Sequence, residues 1–170
     1  FSKLSGEQKR LLGALSIFRE PIPLEAITEQ GLNIDELDSL VESGLARHAD
    51  SDAYDVHDLI REFLLQSLDE QSKEELHNKA VSWYQKQSAG SHISLELIYH
   101  LIASSRHEEA TQIVIEQGRN LIKEGHIELL GLLESIDTNS IVAESSCRID
   151  RIRGEVLSLL GRFDEAEEAF

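Results

Sequence analysis

The chain opens on a helical period. Ser5 stands three residues before Gln8, the spacing at which two side chains satisfy each other's backbone N–H groups at a helix start. Leu11, Leu15 and Phe18 then fall on one face, with Leu12 beside them. Pro21 and Pro23 interrupt this pattern and preset the entry to a short second helix carrying Leu24 and Ile27, which Gly31 ends. Asn33 and Glu36 predict a capping box for a third helix, with Leu32 placed to staple against Leu37. The buried stripe of that helix is Ile34, Leu37, Leu40 and Val41, and Gly44 is its stop.

The period then shortens. "LARHA" and "AYDV" alternate around the turn-like "DSD" at 50–52, which predicts a small hairpin and is the one persuasive β-structure in the chain. Everything after it reads as helical. One helix carries Leu59, Ile60, Phe63 and Leu64; the next, capped by Ser72 with Glu75 at the capping-box position, carries Leu76, Ala80 and Trp83. "QSAGSH" at 87–92 is the best linker, and further helical segments lie near 94–103, 108–123, 127–136 and 141–160. The expected fold is mainly α: a winged helix with a small β-hairpin over 1–68, then an α-helical superhelical repeat region over 69–170.

The repeat signal is strongest at the end. In "GEVLSLLGRFDEAEEAF", Gly154, Leu157, Gly161, Ala166 and Phe170 have the spacing of a tetratricopeptide repeat, in which small residues allow close helix packing and larger ones fill the groove. "SRHEEATQIV" is a weaker echo, with Ala110 five residues after Ser105 as Ala166 is five after Gly161. The copy stops before its full length, and the chain starts at Phe1 without an initiator, so a segment of a longer protein is expected.

Charge narrows the function classes. Across 170 residues, 16 Lys and Arg face 32 Asp and Glu, a formal net charge of −16 that repels phosphate backbones and anionic lipid. A winged helix invites a DNA-reading role, with the third helix in the major groove and the wing on the backbone. Here "NIDELDSLVES" carries Asp35, Glu36, Asp38 and Glu42 and no cation, while the wing offers Arg47 and His48 beside Asp50 and Asp52. Phosphate contacts need positive charge, so no direct nucleic-acid binding is expected. Cys147 is the single cysteine, no apolar run approaches a bilayer span and no signal peptide opens the chain; no membrane role is expected, and a cytoplasmic location is the default.

Catalytic chemistry is missing from the sequence. There is no G-x-x-x-x-G-K-[ST] phosphate loop and no G-x-S-x-G elbow. "HEEAT" begins like a zinc-protease helix, but Thr111 stands where the second histidine belongs, and the seven histidines are scattered. Glu108-Glu109 and Glu167-Glu168 read as solvated helix faces, and Cys147 as a plain thiol. No catalytic residue, no metal ligand set and no cofactor of its own is expected for this segment.

The order of elements resembles a known family. "LSIFREPIPLEAI", then "LDSLVESGLARHADSDAYDVHDLIREFL", then helical repeats, is similar to the downstream arm of STAND-type signal-transduction ATPases, the class that includes NB-ARC and AP-ATPase proteins. The resemblance is close over 4–65 and one of type only in the helical remainder. It implies a nucleotide-binding module upstream in cis, the seat of any ATPase activity, and sensor repeats that bind a protein partner or ligand. The family's Met-His-Asp motif, at the junction between wing and following helix, is matched by Val56-His57-Asp58. The resemblance carries over His57 as a sensor of the ADP phosphates that hold the closed state, and Asp58 as the cap of the next helix. The residues alone leave a second reading open, in which His57 and Asp58 simply cap that helix. An alternative function also stays open: part of a transcriptional regulator, reading DNA through this winged helix or through a domain elsewhere.

Overall fold

The computed structural model describes residues 4–49, 52–88 and 90–170. Packing divides the chain into two compact units, one ending at Trp83 and the other beginning at Tyr84.

In the first unit, α1 (Gly6–Ser16) starts as expected: the Ser5 hydroxyl accepts from Gln8 N at 3.0 Å and Gln8 Oε1 accepts from Ser5 N at 2.9 Å. Leu11, Leu12, Ala14 and Leu15, with Ile17 and Phe18 just past the helix end, are all fully buried, so the second half of this helix is covered on nearly every side and forms the centre of the unit. A two-residue strand β1 (Ile22–Pro23) leads into α2 (Leu24–Glu29), for which Pro23 is the N-cap. Asn33 caps a 3-10 turn, Ile34–Glu36, by accepting from Asp35 N, and α3 (Leu37–Glu42) follows. The expected Asn33–Glu36 capping box is therefore replaced by a tighter entry. Glu36 turns instead towards α1, where it accepts from Gln8 Nε2 at 2.9 Å. Gly44 ends α3 at φ +72°, a conformation that only glycine adopts without strain.

Strands β2 (Arg47–Ala49) and β3 (Ala53–Asp55) pair antiparallel with Arg47 opposite Asp55, and β1 pairs on the other edge of β3, giving the order β1-β3-β2. Strand β1 is a missed element: two residues ending in proline carry no alternation, and proline is tolerated there because the strand is an edge. Most of the expected hairpin turn, Asp50 and Ser51, lies outside the described residues, as does Ala89 of the expected linker.

Helix α4 (Asp58–Ser67) packs on α1 through Leu64, which is buried. Leu59 and Phe63, expected in the core, are instead 75 % and 54 % exposed. At 100° per residue they lie to one side of the Ile60–Leu64–Leu68 line, and Leu68 is the residue that reaches Gly13 of α1. Helix α5 (Glu70–Tyr84) begins before Ser72: the Asp69 carboxylate accepts from both the Ser72 backbone N and its hydroxyl, so Ser72 is held by the cap and is not the cap itself.

The second unit holds α6 (Ser91–Ala103), α7 (His107–Lys123), α8 (Leu129–Glu134), α9 (Ala143–Leu159) and α10 (Phe163–Ala169). Helix α6 packs on α7, α7 on α9 and α9 on α10, with the short α8 wedged among α6, α7 and α9. Two of these hairpins repeat atom for atom at their turns. Ser105 (φ +59°) and Gly161 (φ +73°) hold the same left-handed position. Arg106 N donates to Leu101 O at 2.9 Å, and Arg162 N to Leu157 O at 3.0 Å. Arg106 then grips Glu109 as Arg162 grips Glu165, each through Nε and Nη2, and Ala110 and Ala166 are buried in the same place. The echo read in the sequence is a true structural repeat. The molecule is mainly α-helical, with a small three-stranded sheet followed by long helices: a winged helix and then helical repeats.

Candidate functional site

The junction between the wing and α4 gathers most of the chemistry. Asp55 ends β3 with its side chain only 3 % exposed. Burial of a carboxylate demands partners, and it has them. Its Oδ2 accepts from Arg47 Nε at 3.1 Å and Nη2 at 2.5 Å, from directly across the hairpin. Its Oδ1 accepts from Val56 N at 2.8 Å and from Arg61 Nη2, one turn into α4. Arg61 Nη1 reaches on to Asp58 Oδ1 at 2.9 Å. The hydrogen bond to Asp55 holds the Arg47 guanidinium above its ordinary pKa.

His57 sits inside this frame. Val56 before it is fully buried, and the His57 carbonyl accepts from Ile60 N at 2.8 Å and Arg61 N at 2.9 Å, which makes His57 the N-cap of α4 by backbone. Its side chain is exposed and makes no cap hydrogen bond. Asp58 is the first helical residue, 84 % exposed, and its carboxylate goes to Arg61 and not to a backbone N–H, so the expected cap at Asp58 is absent. Leu59 and Phe63 continue the exposed surface along α4.

The rest of the winged helix offers little to an anionic polymer. Asp35, Asp38 and Glu42 are exposed on the α3 stretch. In the wing, Arg47 is engaged by Asp55, and His48 Nε2 lies 3.6 Å from Asp52 with its ring edge-on to Tyr54. Elsewhere in the first unit, a cleft of about 410 Å³ between α1, α2 and α5 is lined by mixed charge, Glu7, Lys9, Arg10, Glu75 and Lys79, over Gly13 and Leu76.

The protease-like "HEEAT" motif has a structural use. His107 Nδ1 accepts from Asp137 N at 3.3 Å, and Glu108 accepts from Val142 N, the Ser145 hydroxyl and Gln112 Nε2. The bonds from Val142 and Ser145 fix the start of α9 to the first turn of α7, and with the Gln112 bond, first among the causes, they hold the Glu108 carboxyl below its ordinary pKa. Cys147 is exposed. Among the described residues, no helix is long and apolar enough to cross a membrane.

The sequence singles out His57 and does not single out Asp55. Arg47 stands opposite Asp55 only once the hairpin register is known, so the sequence carries no local signal for that acid.

Fold and junction together define a winged helix carrying helical repeats. No known family model and no curated protein matches the chain. A crystal structure of the STAND (Signal Transduction ATPase with Numerous Domains) protein PH0952 from Pyrococcus horikoshii, described as having a tetratricopeptide repeat sensor, matches it with a TM-score of 0.73 at 22 % identity. The match covers 99 % of this chain and 25 % of that one, so the chain spans about a quarter of that protein's length. The likeness is one of fold.

Proposed function

We propose that this chain is the non-catalytic regulatory and protein-interaction arm of a STAND-type signalling ATPase. The winged helix rests on a nucleotide-binding module upstream in cis, His57 reads the phosphates of ADP bound there, and the repeats take a protein partner or sense a ligand. The observation that carries this reading is the state of His57: a rigidly seated backbone with an exposed ring that has no bond to its own helix. His57 caps α4 through its backbone alone, which leaves the imidazole uncommitted to the first-turn N–H groups. An outward imidazole at a helix start can donate to a phosphate where the helix dipole also favours one. The exposed Leu59 and Phe63 extend the same surface with apolar area suited to a protein neighbour. Fold likeness across nearly the whole chain to a STAND protein with a repeat sensor supports the assignment further. Direct DNA reading is disfavoured by the acidic α3 stretch and by an Arg47 already engaged by Asp55.

The test is His57→Ala in the full-length protein, followed by release of a fluorescent ADP analogue. Loss of a contact made only in the closed state biases the equilibrium by that contact's energy, so ADP should leave faster. The 170-residue chain should keep its stability within about 0.5 kcal/mol, as for other surface changes. An unchanged off-rate paired with a badly destabilised chain would make His57 structural and end this reading.

A further inference from the structure

We infer that Asp55 is a positioning residue for His57, and that the Arg47–Asp55–Arg61 clamp ties the wing to the nucleotide response. The inference rests on the reading of His57 as a phosphate sensor and adds how the sensor is held. Three elements meet at one carboxylate: β2 through Arg47, the β3 end through Val56 N, and the first turn of α4 through Arg61. His57 lies between the bonded residues on both sides, Asp55 and Val56 before it and Asp58 and Arg61 after it. Its own carbonyl is bonded to Arg61 N, so the guanidinium that Asp55 holds belongs to the residue that closes the helix start on His57.

The clamp is asymmetric. Arg61 is 16 % exposed and spends its two terminal nitrogens on Asp55 and Asp58, leaving a buried Nε without an acceptor. Arg47 is 57 % exposed and reaches the same carboxylate from the wing surface. A buried donor without an acceptor costs free energy, and this one sits on the residue whose backbone N–H closes the helix start on His57. Arg47 is the accessible arm: anything that moves the wing pulls on Asp55, and through Arg61 on the turn that carries His57. The repulsive alternative, an unpaired Asp55 beside bound phosphate, is avoided while both arginines are in place.

The experiment compares Asp55→Asn, Arg47→Ala, His57→Ala and the Asp55→Asn/His57→Ala double variant in the full-length protein, with ADP-analogue release as the readout. Ile27→Val, a mild core change away from the junction, controls for general destabilisation. Asp55→Asn and Arg47→Ala should each speed ADP release, Asp55→Asn by about tenfold as a lost charge-assisted contact implies. The double variant should release no faster than His57→Ala alone, because Asp55 acts through His57. Ile27→Val should leave the off-rate unchanged. On the 170-residue chain, 15N relaxation should show the residue-57 amide losing order in both clamp variants, which tests the positioning without any nucleotide. If Asp55→Asn fails to fold, Arg47→Ala at the surface decides alone. Faster release in His57→Ala with neither clamp variant affected overturns this inference and leaves the sensor reading standing. An unchanged off-rate in His57→Ala removes the sensor reading itself. An additive double variant, or an off-rate that rises in Ile27→Val as well, also overturns the clamp's role.

Discussion

Acidification from pH 7 to 4.5 should weaken the first unit through His77. This residue lies on α5, is 5 % exposed, and its pKa is lowered to about 4, first by burial and then by Lys73 one turn earlier. The unfolded chain takes up a proton on this imidazole near pH 6.5, the folded one only near 4. Between those values folding has to exclude a proton that the unfolded chain holds. Stability is therefore complete above about pH 6.5, falls as the pH drops through the window, and loses nothing more from this group below about 4. From pH 7 to 4.5 the loss is about 2.5 kcal/mol, at about 1.4 kcal/mol per pH unit once the unfolded imidazole is charged.

That loss can be separated from the other groups that titrate in acid. Asp69, Glu108, Glu109 and Asp137 are held below their ordinary pKa values by hydrogen bonds, and each also costs stability as it is protonated. His77→Gln removes only the imidazole. Urea melts of both proteins at pH 7, 5.5 and 4.5, followed by the fluorescence of Trp83 on the same helix, give two curves of stability against pH. The wild type should fall about 2.5 kcal/mol further than the variant, nearly all of it below pH 6.5. Parallel curves, or a difference that opens between pH 7.5 and 6.5, would refute the reasoning, because a solvated histidine would show one or the other.

Other outcomes follow from the repeats and the charge map. Ser105→Gly should stabilise by roughly 0.5–1 kcal/mol in thermal melts, since Ser105 holds φ +59° where its counterpart Gly161 is already glycine. Gly118→Ala should destabilise by about 1 kcal/mol: the new methyl would sit 3.3 Å from Ile152 in the contact of α7 with α9. Gly154→Ala meets the Phe170 ring at 2.8 Å, yet that ring is 72 % exposed and can swing away, so the gain in helix propensity should bring the net change within about 0.5 kcal/mol of zero. A fluorescence-anisotropy titration with duplex DNA at low salt should show no binding; salt-sensitive binding at low micromolar protein would contradict the acidic-surface argument.

The fold was readable wherever a local rule had no competitor. The Ser5–Gln8 capping box formed because both partners are local and the Gln8 amide divides its work, its oxygen serving the cap while its nitrogen reaches Glu36 and Ser39. The box expected at Asn33 and Glu36 did not, because Glu36 has a distant partner in Gln8 and a 3-10 turn brings it there. Ser72 precedes Glu75 by three and so predicts a cap, but Asp69 stands three residues earlier still, and a carboxylate accepts more strongly than a hydroxyl. Leu59 and Phe63 misled for a different reason. Apolar periodicity states that a face will be covered, and says nothing about whether the cover lies within the same chain.

The candidate site was half readable for the same physical reason. His57 is visible because its position is local, a histidine between a strand and a helix start. Asp55 is not, because its meaning is made across the hairpin and one turn along the helix, and neither Arg47 nor Arg61 announces itself in sequence as its partner. Once the register is known the logic runs the other way: Arg47 must face Asp55, a buried carboxylate must be neutralised, and Arg61 is the helix residue within reach. The same pairing explains why a winged helix with two arginines at its wing junction still presents an acidic face. Those cations are spent inward on a carboxylate, so the outward charge of the α3 stretch is left to its acids, and a protein neighbour suits that surface better than a nucleic acid does.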